Sequence, residues 1–401
     1  MKKTLILGIT GGIAAFKSAQ LVSNLKKKGY DIHVIMTENA CEFVTPLTFE
    51  TLTHNRVSVQ TFDRTFKYDV NHISLAQKAD LFIVAPASAN FIAKAAFGLS
   101  DDMLTTTFLA ATCPKLIAPA MNTGMLTNPM TQRNISICLE AGIEFVQPAS
   151  GLLACGDVGA GKLADLEVIE ERIEEVLYLE KPLKGKLVLV TAGPTQEALD
   201  PVRFITNHSS GKMGYAVAKA ARNMGAQVKL ISGPVGLTPP VGVETIPVES
   251  AAQMKEVLEH YRDNYHILVK AAAVSDFRAK NIASYKLKKN GASEKTVEFV
   301  ENSDILAEIG KTKKPDQVVC GFAMETENLI ENAKNKLRAK QADMIVANQL
   351  TDAGAGFKGD TNKVSLITAE SIEPFEIMSK EAVAEEIMKR LTAILQKKSN
   401  K

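Results

Sequence analysis

Short apolar runs alternate along the chain with longer stretches that are apolar on one face only. In the first half the apolar runs are residues 4–10, 31–37, 80–85, 115–118 and 144–147, with a proline directly after the third and the fourth. Runs of this length and purity predict strands buried on both faces of a parallel sheet. Residues 14–28 have helical spacing and stop at Gly29, and residues 166–179 have the same spacing with heavy charge. A polar stretch at 180–185, with Pro182 and Gly185, then marks a boundary. The pattern restarts in the second half. Strands are predicted at 186–191, 227–232, 266–273, 318–322 and 344–347, and helices at 212–224, 251–261 and 380–396. Residues 363–368 and 374–378 suggest a closing antiparallel pair. Strand and helix in alternation predict two doubly wound α/β domains, 1–182 and 186–401, the second with an added antiparallel element.

Composition narrows this picture. A chain of 401 residues, 46% hydrophobic, can bury two cores, and a net charge of +2 gives no general pull toward nucleic acid or membrane. No run of 18 apolar residues suggests a membrane span. The two lysines and apolar run at the start could pass for a leader. Gly8, Gly11 and Gly12 interrupt that run, so a strand turning into a helix explains it better. The five cysteines, at 41, 113, 138, 155 and 320, have no C-x-x-C spacing, which argues against zinc, a redox dithiol or a disulfide framework. A reducing cytoplasm is expected.

Candidate chemistry in the first half begins at the strand-to-helix turn GITGGIAA, residues 8–15. Glycines there let backbone N–H groups approach a phosphate at a helix start. The spacing is not G-x-G-x-x-G, so the dinucleotide fingerprint fails. PASAN, residues 86–90, follows an apolar strand and puts a hydroxyl and an amide where open α/β sheets bind ligands. Capping of a helix after Asn90 is the plainer explanation of that segment. Thr37 also falls at a strand end.

These segments, with NHISL at 71–75, PAMN at 119–122 and LACGDVGAG at 153–161, resemble the flavoprotein family of cysteine decarboxylases, and together they cover nearly all of residues 1–165. The resemblance implies a flavodoxin-like, Rossmann-like domain that binds FMN at Gly11, Gly12, Ile13, Thr37, Ser88 and Asn90. It implies that His72, Asn122 and Cys155 act on the substrate. The residue types suit such chemistry. Loss of CO₂ from a cysteinyl carboxylate needs an electron sink, and a flavin provides one by oxidising the CH₂–SH end to a thioaldehyde and later returning the hydride. A neutral imidazole suits the base, His72, and a protonated thiol suits the acid, Cys155. The Asn122 amide can hold the carboxylate. The glycine-rich surroundings of Cys155 suggest a mobile flap. Phe16 stands where the family often has Tyr, and Lys162 where the flap usually has Arg, which loses a bidentate fork.

In the second half, ITNHSSGKMG (205–214) precedes a helix and offers hydroxyls, amides and Lys212 to a polyphosphate. It is not a Walker A loop, which would need Gly at 206 and Ser or Thr at 213. Lys286, Lys288 and Lys289 form a basic run that is either a solvated loop or a lid over phosphates. Asp276, after the strand ending in AAAVS, could hold Mg²⁺ or a ribose. Lys336 and Lys340 are spaced to share a helix face. With GFAMET (321–326), these segments resemble the phosphopantothenate–cysteine ligase family over roughly residues 186–350.

That resemblance implies CTP as co-substrate and an acyl-cytidylate intermediate, although no residue distinguishes CTP from ATP by an evident code. By position, Lys270, Ala271, Ala272, Asp276, Lys286, Ser303, Asp304, Ile305, Leu306, Phe322, Lys336 and Lys340 would line the nucleotide site. Asn207 would position phosphopantothenate, and Lys286 would turn over the intermediate. Lys270 departs from the family, which is usually apolar or Gly there. The substrates implied are 4'-phosphopantothenate, cysteine, CTP and 4'-phosphopantothenoylcysteine, with FMN and Mg²⁺ as cofactors. The assembly implied is a homo-oligomer, a dodecamer of trimeric flavin domains and dimeric ligase domains. Two other functions compete: a pyridine-nucleotide oxidoreductase, which the glycine spacing opposes, and a noncatalytic flavin-binding regulator, which His72, Asn122 and Cys155 oppose.

Overall fold

Uninterrupted apolar sequence at the start becomes the middle of a sheet. The computed structural model describes residues 2–62, 71–154, 156–288, 296–325, 328–349 and 359–400. It separates into two compact units, Met1–Leu179 and Glu180–Lys401.

The first unit is built on five parallel strands, β1 (Thr4–Ile9), β2 (Asp31–Met36), β3 (Leu81–Ala87), β4 (Lys115–Pro119) and β5 (Glu144–Phe145), in the order β2-β1-β3-β4-β5. Every residue of β3 is buried, as its unbroken apolar sequence requires. One core packs the helices Ala15–Lys27 and Leu166–Leu177 on one face, and a second packs Ala89–Phe97 and Met103–Ala110 on the other. Because β1 lies between β2 and β3, the chain leaves it in opposite directions. The crevice at the carboxyl ends of β1 and β3 is therefore the topological switch point.

The second unit carries eight strands: β6 (Leu187–Ala192), β7 (Gln227–Ser232), β8 (Glu244–Pro247), β9 (Ile267–Lys270), β10 (Val318–Glu325), β11 (Met344–Gln349), β12 (Val364–Ile367) and β13 (Ile372–Pro374). Their order is β8-β7-β6-β9-β10-β11-β12-β13. The first six are parallel in the doubly wound order, and β12 and β13 are antiparallel. The switch point lies between β6 and β9.

Two expected strands differ from the structure. The closing hairpin pairs β12 with Ile372–Pro374, not with 374–378. The Phe375 N–H still reaches the Val364 carbonyl, but Met378–Ser379 then leaves to pair with Thr361–Asn362. The strand expected to run to residue 273 stops at Lys270. Beyond it the N–H groups of Ala271 and Ala273 turn to the carbonyls of Thr191 and Gly193. No helix among the described residues is long and apolar enough to cross a membrane.

Candidate functional sites

In the first unit β1 is followed by Thr10, a buried residue that ties the switch point together. Its hydroxyl donates to the Pro86 carbonyl at 2.8 Å and accepts from the Ser88 N–H at 2.9 Å. This locks the glycine turn to the PASAN segment. A methyl group at Gly11 would lie 2.5 Å from the Asn39 Cβ, whereas one at Gly12 would meet nothing within 4 Å. The turn is thus packed on one side and open on the other. The helix it feeds, Ala15–Lys27, has no side-chain cap. Among the described residues no acceptor is found for the N–H groups of Gly11, Gly12 and Ile13. Uncapped N–H groups at a helix start are the donor set a phosphate needs, so these residues fit the phosphate end of FMN.

Thr37 and Ser88 stand beside this turn at the ends of β2 and β3. Each caps a helix, Thr37 accepting from Ala40 N–H at 3.2 Å and Ser88 from Phe91 N–H at 3.3 Å. The cap is therefore Ser88. Asn90 lies within the first turn of Ala89–Phe97, which corrects the expectation of a helix beginning after Asn90.

Asn122 follows β4, adjacent to β3. Its carbonyl accepts from Gly124 N–H at 2.8 Å, and its amide reaches Asp157 at 3.3 Å. The glycine-rich segment is an antiparallel ribbon, Ala149–Leu152 with Val158–Lys162. It is stitched to the loop after β4. Met121 N–H donates to the Gly161 carbonyl at 2.9 Å, and the Thr123 hydroxyl donates to that of Ala160 at 2.7 Å. Gly161 has φ +130° and a methyl there would sit 2.2 Å from the Met121 carbonyl oxygen, so only glycine allows this approach. The ribbon carries the turn that contains position 155, and Cys155 itself lies outside the described residues. His72 is half-buried at the start of the helix Asn71–Lys78.

In the second unit a cleft of about 1020 Å³ opens at the carboxyl ends of β6, β9, β10 and β11. It gathers Asn207, Lys270, Ala271, Ala272, Asp276, Ser303, Asp304, Ile305, Leu306, Phe322, Lys336 and Lys340, residues drawn from five separate stretches of sequence. Two helices start at it. Lys212–Asn223 follows Gly211, which is left-handed at φ +77° and provides no side-chain cap. Ile305–Thr312 is capped by Asp304, whose carboxylate accepts from Ala307 N–H at 2.9 Å and pairs with the Lys340 ammonium. That pairing holds the Asp304 carboxyl below its usual range against the opposing effect of burial.

Several contacts differ from a simple strand-end site. The N–H groups of Ala271 and Ala272 donate to the Thr191 carbonyl and hydroxyl, so they are already used. Asn207 donates to the Ala273 carbonyl at 3.0 Å, which fixes its amide at the cleft. Asp276 is exposed. Lys286 is exposed too and is not among the residues lining the cleft. Its neighbour Leu287 is held outside by Asp200 and Arg203. No group of three metal-ligating side chains occurs among the described residues. Mg²⁺, which typically binds one or two carboxylates plus substrate phosphates, fits Asp276 only together with a polyphosphate.

Sequence reasoning missed Thr10, Asp157, Asn348, Asn362 and Lys380. The last three are buried and line the cleft. Asn348 left a signal, since it is a polar residue at the end of an apolar strand. Lys380 left none, because its helix arrives from the far end of the chain.

Two switch-point sites on two doubly wound sheets, one with bare helix N–H donors and one rimmed with lysines, define a two-domain α/β protein whose first domain is of the flavoprotein kind. Residues 1–178 match the Flavoprotein family, and residues 183–395 match the family described as DNA/pantothenate metabolism flavoprotein C-terminal domain. The chain belongs to the family of coenzyme A biosynthesis bifunctional proteins. It is 47% identical to the coenzyme A biosynthesis bifunctional protein CoaBC of Bacillus subtilis (strain 168), covering 98% of this chain and 97% of that one. It is 42% identical to the protein of the same name from Vibrio vulnificus (strain YJ016), covering 98% of each. The crystal structure of the C-terminal domain of a CoaBC protein is 40% identical, with 54% of this chain and 100% of that chain covered and a TM-score of 0.47.

Proposed function

We propose that the second unit joins cysteine to 4'-phosphopantothenate at the expense of CTP, and that the first unit decarboxylates the resulting 4'-phosphopantothenoylcysteine to 4'-phosphopantetheine with FMN. The observation that carries the proposal is the lysine-rimmed cleft at the second switch point, in a chain whose first unit presents unpaired helix N–H donors at its own.

For the ligase reaction, five lysines line the cleft against three acids, an excess that suits a polyphosphate. The pantothenate carboxylate attacks the α-phosphorus and pyrophosphate leaves. The cysteine amine then attacks the acyl carbon, and CMP departs. Asn207, fixed by Ala273, orients the acyl substrate. Lys336, Lys340 and the start of Ile305–Thr312 hold the nucleotide, with Ser303, Leu306 and Phe322 around it. Mg²⁺ would enter with the triphosphate at Asp276. Lys286 has to swing in from its exposed loop to help turn over the intermediate.

For the decarboxylation, Gly11, Gly12 and Ile13 would hold the FMN phosphate, with Thr37, Ser88 and Asn90 beside it. FMN, when bound, supplies a reversible two-electron sink. Asn122 holds the substrate carboxylate, His72 takes the proton from the thiol-bearing end, and Cys155 returns one to the carbon that loses CO₂. Exposed Ile13 and Phe16 beside the turn, and Phe277 and Phe299 on a ribbon of the second unit, support burial in a larger homo-oligomer. The residues are consistent with trimeric first units and dimeric second units, a cytoplasmic dodecamer.

The test is incubation of the purified chain with 4'-phosphopantothenate, cysteine, Mg²⁺ and either CTP or ATP, followed by product masses. Phosphopantetheine with CTP is expected. A colourless protein with no affinity for FMN would remove the first half of the proposal, and no ligated product with either nucleotide would remove the second.

A further inference from the structure

Lys270 is the last residue of β9 and lines the cleft where β6 and β9 diverge. Thr191 of β6 and Gly321 of β10 stand beside it in register. Below it Leu268 is part of the apolar core, so the ammonium is carried on a stem rooted in that core. Among the described residues it makes no ion pair and no hydrogen bond. The cations and acids that face it come from two helices and a loop. Lys336 and Lys340, at the end of the helix Leu329–Ala339, repel it. Asp304, at the start of Ile305–Thr312, and Asp276, in the loop after β9, attract it. Asp304 is already committed to Lys340 and to the Ala307 N–H, and Asp276 is exposed to water. Burial and the two lysines bring the Lys270 ammonium down to about 8. A half-buried cation with cationic neighbours and no counter-ion of its own destabilises the empty fold. Its place at a switch-point cleft gives that cost a use, because an anion entering there meets a cation that no internal acid has neutralised.

Building on the nucleotide reading of this cleft, we infer that the Lys270 ammonium is reserved for a phosphoryl oxygen of the bound nucleotide and fixes how tightly this chain holds it. The sign of the pH effect follows from the empty site. Below pH 8 the ammonium is charged and ready. Above it the empty site loses the proton, and binding an anion has to draw one back from solvent. Stability moves the other way. The folded empty chain releases this proton more easily than the unfolded chain, so the cost of Lys270 to the fold shrinks as pH rises from 8 toward the normal lysine range.

The experiment is calorimetric titration of the full chain with CTP and, separately, ATP, with Mg²⁺ present, at pH 7 and pH 9 in buffers of different ionisation heat. Wild-type affinity should fall on the order of tenfold between the two pH values, with close to one proton taken up at pH 9. Lys270→Met should bind roughly tenfold or more weakly at pH 7, without the pH step or the proton uptake. It should also melt a few degrees higher than wild type when empty at pH 7. Lys270→Arg should keep its affinity at both pH values. Should the methionine variant misfold, Lys270→Gln carries the same expectations. A methionine or glutamine variant that binds within about twofold of wild type, or keeps the same pH step, overturns the inference about Lys270 alone. Wild type that binds neither nucleotide overturns the reading of the cleft itself.

Discussion

Each sheet delivers its first strand to a switch point and starts an uncapped helix there, yet the two routes differ. In the first unit Thr10 to Ala14 separate β1 from the helix Ala15–Lys27. In the second, residues 193–211 intervene between β6 and the helix Lys212–Asn223, and they fold into an extra ribbon, Gln196–Ala198 with Phe204–Thr206. The short route leaves a compact set of N–H donors suited to one phosphate. The long route opens a wide cleft whose other walls come from β10, β11 and the C-terminal helix. On the proposed function, the same helix-start physics would serve a held cofactor in one case and a consumed polyphosphate in the other, with the surrounding cations making the difference.

Variants that act on one unit alone separate these two sites. Replacing Cys155 by Ser should cut phosphopantetheine formation on the order of a hundredfold or more. Ligation should be untouched, and a decarboxylated product two hydrogens short of phosphopantetheine should accumulate by mass spectrometry. Equal loss of both reactions would break the separation. Gly161→Ala forces a side chain onto the Met121 carbonyl at a left-handed φ and should cost about 2 kcal/mol or more. Calorimetry should show the first unit's transition shift down while CTP-dependent ligation persists.

Gly310→Ala is the counterpart in the second unit. Its methyl would lie 1.8 Å from the Lys340 carbonyl oxygen, so Lys340 must move. Nucleotide KM should rise roughly tenfold, with decarboxylation of supplied phosphopantothenoylcysteine unchanged. Thr10→Val removes the bridge between the glycine turn and PASAN and leaves the Ser88 N–H without its acceptor. A loss of about 1–3 kcal/mol is expected, seen in denaturant melts together with weaker FMN retention.

The smallest effect concerns pH. His266 accepts from the Leu187 N–H through Nδ1 at 3.1 Å, and burial and Lys186 keep its imidazole below the usual range. The unfolded chain therefore takes up this proton first. The second unit should hold full stability above the ordinary histidine range and lose some as pH falls below about 6.5. The first unit should show no such step from this residue, which a pH series of melts on the wild type and His266→Gln would resolve.

Legibility in the sequence followed the same divide. In the first unit the glycine turn, PASAN and PAMN are contiguous motifs at strand ends, and each could be placed by reading locally. Thr10 was overlooked because one threonine at the end of an apolar run looks like any other. In the second unit the strands and the helix Lys212–Asn223 were clear from periodicity. The hairpin after β12 was misplaced, because which residues pair across a short turn depends on the turn itself, here closed by Thr368 and Ser371. Lys336 and Lys340 were recognised as neighbours from their spacing, but the pairing of Lys340 with Asp304 was not visible from spacing.

By itself the sequence determined the two parallel sheets, the break between the halves and the glycine-bearing helix starts. Those properties depend on local periodicity and on which residues tolerate tight turns. Only the tertiary structure decided that Lys270 stands without a counter-ion among the described residues, that Lys286 lies outside the cleft, and that Asn348, Asn362 and Lys380 line it. Charge and burial depend on what folds against a residue, and those neighbours come from distant parts of the chain.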